Sequence, residues 1–294
     1  MKTMPRPSGI VGTPIEVQEY AKALKHPFSD VRKHAAESLG KLKHVSAVVP
    51  LAKALHDGIP GVREKAAEAL GKIKHESAVP QLLKALQDSD TDVRYHAAAA
   101  LGKIKHAKAI PHLAKVLQED PDRDVRASAA VALGEIRHES AVPHLAVALQ
   151  ESDSLLKEHA VSALGKIGGE SVVLPLAKAL QDSNYDVRNL AADALGKIKR
   201  ESAIPHLVSV LKDHNTDVAA IAVESIRKIG RVIQRKKAKS PEARALQLVN
   251  PYFHQEEHPR VVHKAYQSAL KGKVTKENAR LYVKQLRALQ GSVK

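Results

Sequence analysis

The 294-residue chain has no cysteine and no tryptophan, and its aromatic residues amount to 6 Tyr and 2 Phe. Without thiols there are no disulfides, no thiolate metal ligands and no cysteine nucleophile. With so few rings, the apolar volume must come from Ala, Leu, Val and Ile, and platforms for base stacking are scarce. No segment approaches the roughly 18 consecutive apolar residues of a membrane span, and the opening segment lacks the apolar core of a signal peptide. No membrane span and a cytoplasmic location are therefore expected. Neither a Gly-rich phosphate loop nor a Gly-x-Ser-x-Gly elbow is present.

Charge is present in excess but unevenly placed. The chain carries 47 Lys+Arg against 32 Asp+Glu, a net +15. Residues 231–294 alone hold 15 against 4, a net +11, which leaves 32 against 28 for residues 1–230. A near-neutral body with a basic end points to an anionic partner met by that end.

The body is repetitive. Asp-Val-Arg begins at Asp30, Asp92, Asp124 and Asp186, with Gly61, Leu155 and Asp217 opening the variant triplets between and after them, at intervals of 31, 31, 32, 31, 31 and 31 residues. Leu-Gly pairs at Leu39, Leu70, Leu101, Leu133, Leu164 and Leu195, and prolines at Pro50, Pro80, Pro111, Pro143, Pro175 and Pro205, keep the same period. Within one period, Ala78, Val79, Leu82, Leu83 and Leu86 fall at helical spacing. An Asp-rich break follows, and Val93, Ala97, Ala98, Leu101 and Ile104 resume the spacing. Each unit thus predicts a short helix A with proline in its first turn and a helix B capped by the Asp cluster. One such pair cannot bury its apolar face alone, so pairs must stack.

The sequence therefore predicts an all-α solenoid (an α-α superhelix) of about seven two-helix units over residues 14–230. An N-terminal extension (1–13) precedes it. A basic linker or helix extension (231–240) and a basic helical C-terminal segment (241–294) with a degenerate eighth pair and a capping helix follow.

Asp-Val-Arg, Ala-Ala-x-x-Leu-Gly-x-Ile and the Ala-Val-Pro of helix A resemble HEAT-like repeats of the short type found in phycobilisome lyases. The resemblance implies that Asp30, Arg32, Asp92, Arg94, Asp124, Arg126, Asp186 and Arg188 build a hydrogen-bonded ladder between neighbouring units. It also implies that B helices line a concave surface through the two residues after Arg, the residue after Ala-Ala and the residue after Gly. In the second half of that surface, whose fourth unit also exposes Ala127 and Ser128, Val131, Leu190, Ala220 and Ile221 form an apolar set suited to docking a partner peptide or the chain's own C-terminal segment. Tyr95, His96, Val131, His159, Leu190 and Ile221 are the expected protein-binding residues. The position after Gly is Lys in five units and Glu135 in another, and in the seventh Lys228 holds the same register after Arg227, a row suited either to helix ends or to phosphates.

Sixteen His prompt a search for metal sites. His44, His75, His106 and His138 form one column, but its members stand one repeat apart and suit helix-end capping better than one metal. In deoxyhypusine hydroxylase, a di-iron enzyme on similar repeats, His-Glu pairs follow the Arg position. Here those places read Lys33-His34, Glu64-Lys65, Tyr95-His96, Ala127-Ser128 and Glu158-His159. His254 to His258 matches His-x-x-Glu-His, yet Pro259 follows at once and disfavours a helix there. No catalytic residue, metal or cofactor is assigned.

After Gly230, Arg231 to Lys239 packs five cations into nine residues. A last helix from about Thr275 to Leu289 should bury Ala279, Tyr282, Val283 and Leu286 against the end of the stack. Arg235, Lys236, Lys237 and Lys239, with Lys276, Arg280, Lys284 and Arg287 on the outer side of that helix, are the expected contacts for an anionic partner. The reading is a non-enzymatic scaffold holding a protein partner in the groove, its basic end contacting nucleic acid or a ribonucleoprotein. The alternative is a bilin-lyase-like or other cofactor-handling enzyme on the same repeats.

Overall fold

The computed structural model describes residues 14–233, 241–253, 258–276 and 279–291, and among them there are helices and no strands. In chain order the A and B helices alternate as α1 (Pro14–Ala23) and α2 (Ser29–Leu42), α3 (Val48–Ala54) and α4 (Pro60–Ile73), α5 (Val79–Ala85) and α6 (Thr91–Ile104), α7 (Ile110–Glu119) and α8 (Arg123–Ile136). They continue as α9 (Val142–Ala148) and α10 (Ser154–Ile167), α11 (Val173–Ala179) and α12 (Tyr185–Ile198), α13 (Ile204–Ser209) and α14 (Thr216–Ile233), then α15 (Pro241–Val249), α16 (Pro259–Leu270) and α17 (Ala279–Gly291). The chain folds as an α-solenoid divided into two compact units, Met1–His144 and Leu145–Lys294.

In the first unit each B helix lies along the next, α2 on α4, α4 on α6 and α6 on α8. The Ala-Ala-x-x-Leu stripe faces inward: Ala66, Ala67, Leu70, Ala97, Ala98 and Leu101 are all fully buried. Glycine sets how closely these helices approach. A Cβ added at Gly71 would lie 2.9 Å from Ala100 Cα, and one at Gly102 only 2.7 Å from Ala132 Cα. The helix stop falls three residues later, on a residue one would not expect. Lys43, Lys74, Lys105 and Arg137 take the left-handed conformation, with φ of 52°, 59°, 61° and 55°, where glycine is usual. At three of these ends the left-handed Lys N–H bonds a Leu carbonyl of the last turn.

A ladder ties successive units, but not with the aspartates of the triplets. Arg32 donates to Asp57 at 2.7 and 2.8 Å, Arg63 to Asp88 at 2.7 and 2.6 Å, and Arg94 to Asp120 at 2.8 and 3.1 Å. The third guanidinium nitrogen of each, like that of Arg126, bonds a backbone carbonyl of the preceding loop. The expected acidic members are corrected accordingly. Asp30 is exposed and pairs with Lys33 on its own helix, Asp124 meets Arg123, and the backbone N–H of Asp92 donates to the capping Asp90. The triplet aspartate sits in the first turn of helix B, where it complements the helix dipole from the solvent side. The true acceptor stands in the loop between helices A and B of the following unit, aimed by its own bond from the backbone, as Ile59 N–H donates to Asp57 Oδ1 at 3.0 Å. The Arg32 hydrogen bonds, opposed by burial, hold the Asp57 carboxyl below the usual carboxylate range. At Asp88 burial pushes upward, and the bonds from Arg63 and from Asp90 N–H outweigh it, so that carboxyl is also lowered.

The second unit repeats the plan with variations. Lys157 takes the Arg position and reaches Asp182 at 2.7 Å, while Arg188 donates to Asp213 at 2.9 Å through two nitrogens, leaving Asp186 with the capping Asn184. At Gly196 an added Cβ would meet Ser225 Cα at 2.9 Å. Helix α14 runs on to Ile233 and packs against α15 and α16. The segments expected as a degenerate eighth pair fall in α15 and α16, where Leu246, Val262 and Tyr266 are buried. Ala279 and Val283 of α17 are fully buried, and Tyr282 is half-buried with its hydroxyl 2.7 Å from Ser268 Oγ.

Candidate functional site

On the B-helix face of the first unit, α4 and α6 bring together a ring pair and an ion-pair cluster. Tyr95 is 40% exposed, and its ring meets that of His96 edge-on at 5.2 Å. His96 Nε2 lies 3.5 Å from Glu64 Oε1, and Lys65 bridges Glu64 and Glu68 at 2.9 and 3.5 Å. Ser128 Oγ donates to the Tyr95 carbonyl at 3.1 Å, which ties α8 to α6. Val131 is exposed one turn beyond, whereas Ala127 and Ser128, expected on the same open face, are buried. On the second unit Leu190 and Ala220 are exposed, and His159 and Ile221 are half-buried.

The lysine row after the glycines is largely engaged within the protein. Lys41 pairs with Glu37, Lys72 with Glu68, and Lys197 and Lys228 with Asp193. These cations neutralise neighbours on their own or the adjacent B helix instead of facing a continuous anion. The histidine column is likewise accounted for: Nδ1 of His44, His75, His106 and His138 accepts the backbone N–H two residues on, capping a single 3-10 turn. Among the described residues no group of three or more His, Asp or Glu is arranged to hold a metal ion.

Arg235, Lys236, Lys237 and Lys239 lie outside the described residues, as do His254 to Glu257 of the His-x-x-Glu-His motif. On the last helix and its approach, Lys276, Arg280 and Lys284 are exposed. Arg287 departs from that face, because it is half-buried and donates to the Tyr252 carbonyl. A cleft in this unit lies elsewhere, between the start of α14 and the length of α16. This cleft of 1540 Å³ is lined by Lys212, Arg260, Lys264 and Lys271 among others, with Asp213 as its acidic member. Sequence reasoning credited the regional charge to residues 235–239 and α17 and passed over these residues. The signal was present, since Arg260, Lys264 and Lys271 stand at i, i+4 and i+11, one stripe of a helix.

A family model for HEAT repeats matches residues 17–81, 51–134, 110–180 and 173–271. The chain belongs to the HEAT-repeat family. Its HEAT-repeat fold is shared by an engineered protein at 22% identity and a TM-score of 0.54, covering 91% of this chain and 82% of that one. The Escherichia coli protein YibA is similar at 20% identity and a TM-score of 0.53, covering 86% and 92%. The complex of CpcE and CpcF of phycocyanin lyase from Nostoc sp. PCC7120 is similar at 25% identity and a TM-score of 0.49, covering 84% and 97%. Comparison with curated protein sequences gives no match. Among the described residues, no helix of this HEAT-repeat chain is long and apolar enough to cross a membrane.

Proposed function

We propose that this HEAT-repeat protein is a non-enzymatic scaffold that holds a protein partner on its B-helix face and contacts nucleic acid or a nucleoprotein through its basic C-terminal region. One observation carries the second half: residues 231–294 hold 15 Lys+Arg against 4 Asp+Glu, and Arg260, Lys264, Lys271, Lys276, Arg280 and Lys284 are exposed. Cations so concentrated repel one another and are stabilised by releasing counterions from a polyanion. The first half rests on Tyr95, Val131 and Leu190, large side chains held at the surface with no covering element.

The test is fluorescence anisotropy of a labelled 20-base-pair DNA duplex titrated with the intact chain at 50 and 200 mM salt. Affinity is expected to fall at least tenfold between the two, and absence of binding at 50 mM would refute the nucleic-acid half. The intact chain is the right reagent because α15 and α16 cover α14. Cutting at residue 230 would strip α14 of that cover.

A further inference from the structure

We infer that the cleft between α14 and α16 is the seat of the nucleic-acid phosphates, with Lys212, Arg260, Lys264 and Lys271 as the groups that hold them. This inference rests on the nucleic-acid half of the proposed function and narrows it to one surface. All four side-chain-bearing residues are exposed, and among the described residues none has an ion-pair partner. The acidic member of the lining, Asp213, accepts two hydrogen bonds from Arg188 and one from Asn215 N–H, so its charge is matched from outside the cleft. Four positive charges with no ion-pair partner among the described residues therefore face one opening, an arrangement that an anion would neutralise.

The dimensions favour a chain of phosphates over a small anion. At 1540 Å³ the cleft exceeds the roughly 300–1,000 Å³ of small-molecule pockets. From Arg260 to Lys271 is 11 residues, about 16 Å along a helix at ~1.5 Å per residue, which matches about five nucleotide steps at ~3.4 Å along one strand. The remaining wall contains Leu211, Ala219 and Val223 together with the imidazoles of His214, His258 and His263, and Tyr282 at one edge is bonded to Ser268. With four cations in the lining and no tryptophan in the chain, backbone phosphates are favoured over stacked bases. His263, also in the lining, has its pKa lowered chiefly by burial and further by the nearby charge of Lys212.

The deciding experiment compares four intact proteins by duplex anisotropy over a salt series: the natural chain, the cleft variant K212Q/R260Q/K264Q/K271Q, the charge-preserving variant K212R/R260K/K264R/K271R, and the α17-side variant K276Q/R280Q/K284Q. Circular dichroism confirms that each retains its helices. The cleft variant is expected to bind more than tenfold more weakly at 50 mM salt, with the slope of log K against log salt shallower by about three to four. The charge-preserving variant is expected to stay within threefold of the natural chain, and the α17-side variant to weaken binding by a clearly smaller factor than the cleft variant. If the cleft variant binds within twofold of the natural chain while the α17-side variant loses binding, this inference fails and the broader nucleic-acid reading stands. If the natural chain binds no duplex, both fail. Binding of tripolyphosphate without binding of duplex also overturns the inference, by assigning the cleft to a small anion.

Discussion

Two glycines of α4 should respond to the same substitution with opposite signs. At Gly71 an added Cβ would sit 2.9 Å from Ala100 Cα and 3.0 Å from Ala100 Cβ, whereas ordinary contacts lie at 3.4–4 Å. The obstruction is helix backbone, which cannot swing aside, so α4 and α6 must separate by roughly half an ångström or more, an overpacking that costs about 1–3 kcal/mol. Replacing helical glycine by alanine returns about 1 kcal/mol of propensity. With backbone as the obstacle the cost belongs near the top of its range, which leaves Gly71→Ala about 2 kcal/mol less stable. At Gly61 an added Cβ meets only Lys33 Cδ, at 3.3 Å. That is the middle of a flexible side chain, so Gly61→Ala should gain a few tenths of a kcal/mol. Urea unfolding followed by circular dichroism reads both, and the first corresponds to a fall in Tm of roughly 4–8 °C. A Gly71→Ala protein as stable as the natural one, or two substitutions shifting in the same direction, would show that these glycines do not set the helix spacing.

Three further outcomes follow. Lys74→Gly and Lys105→Gly relieve left-handed backbone at φ of 59° and 61°, and each should raise stability by about 0.5 kcal/mol after the added freedom of the unfolded chain is subtracted; a loss in the same unfolding assay argues against strain there. Removing one partner of a largely covered ion pair strands the other, so Asp88→Ala should cost about 2–3 kcal/mol through Arg63, and the double replacement Arg63→Met/Asp88→Leu should recover much of it. Because the folded-state pKa values of Asp57, Asp88, Asp182 and Asp213 are all lowered, their contribution is complete above the unfolded carboxylate value of about 4 and disappears as pH falls through the folded values. Melting temperature should therefore fall steeply below about pH 4, and Asp57→Asn should make that fall shallower.

Much of this molecule can be read from its period. The alternation of short A and longer B helices and the Asp or Asn caps of α6, α8, α10 and α12 follow from apolar spacing and the 31-residue repeat, because each is a local property of one stretch of chain. The ladder acceptors were harder to see. Asp57, Asp88, Asp120, Asp182 and Asp213 recur with the period as regularly as the triplets do, but which of two aspartate columns an arginine reaches depends on loop geometry between units. The left-handed lysines were equally hidden, since Gly-x-Ile-Lys invites glycine as the helix stop. Here glycine at 71 is needed three residues earlier for the approach to Ala100, and the stop falls to Lys74. The cleft depends on how α16 sits against α14, a pairing outside the regular repeat, so its lysines looked like surface charge.

The ladder also bears on how the protein is made. Arg32, Arg63, Arg94 and Arg188 each find an aspartate only 25 or 26 residues ahead. At a synthesis rate of about 5–20 residues per second, the acceptor follows its donor off the ribosome within roughly one to five seconds. The units joined in this way can then latch onto their predecessors as soon as they emerge, which shortens the time for which their apolar helix faces stand uncovered.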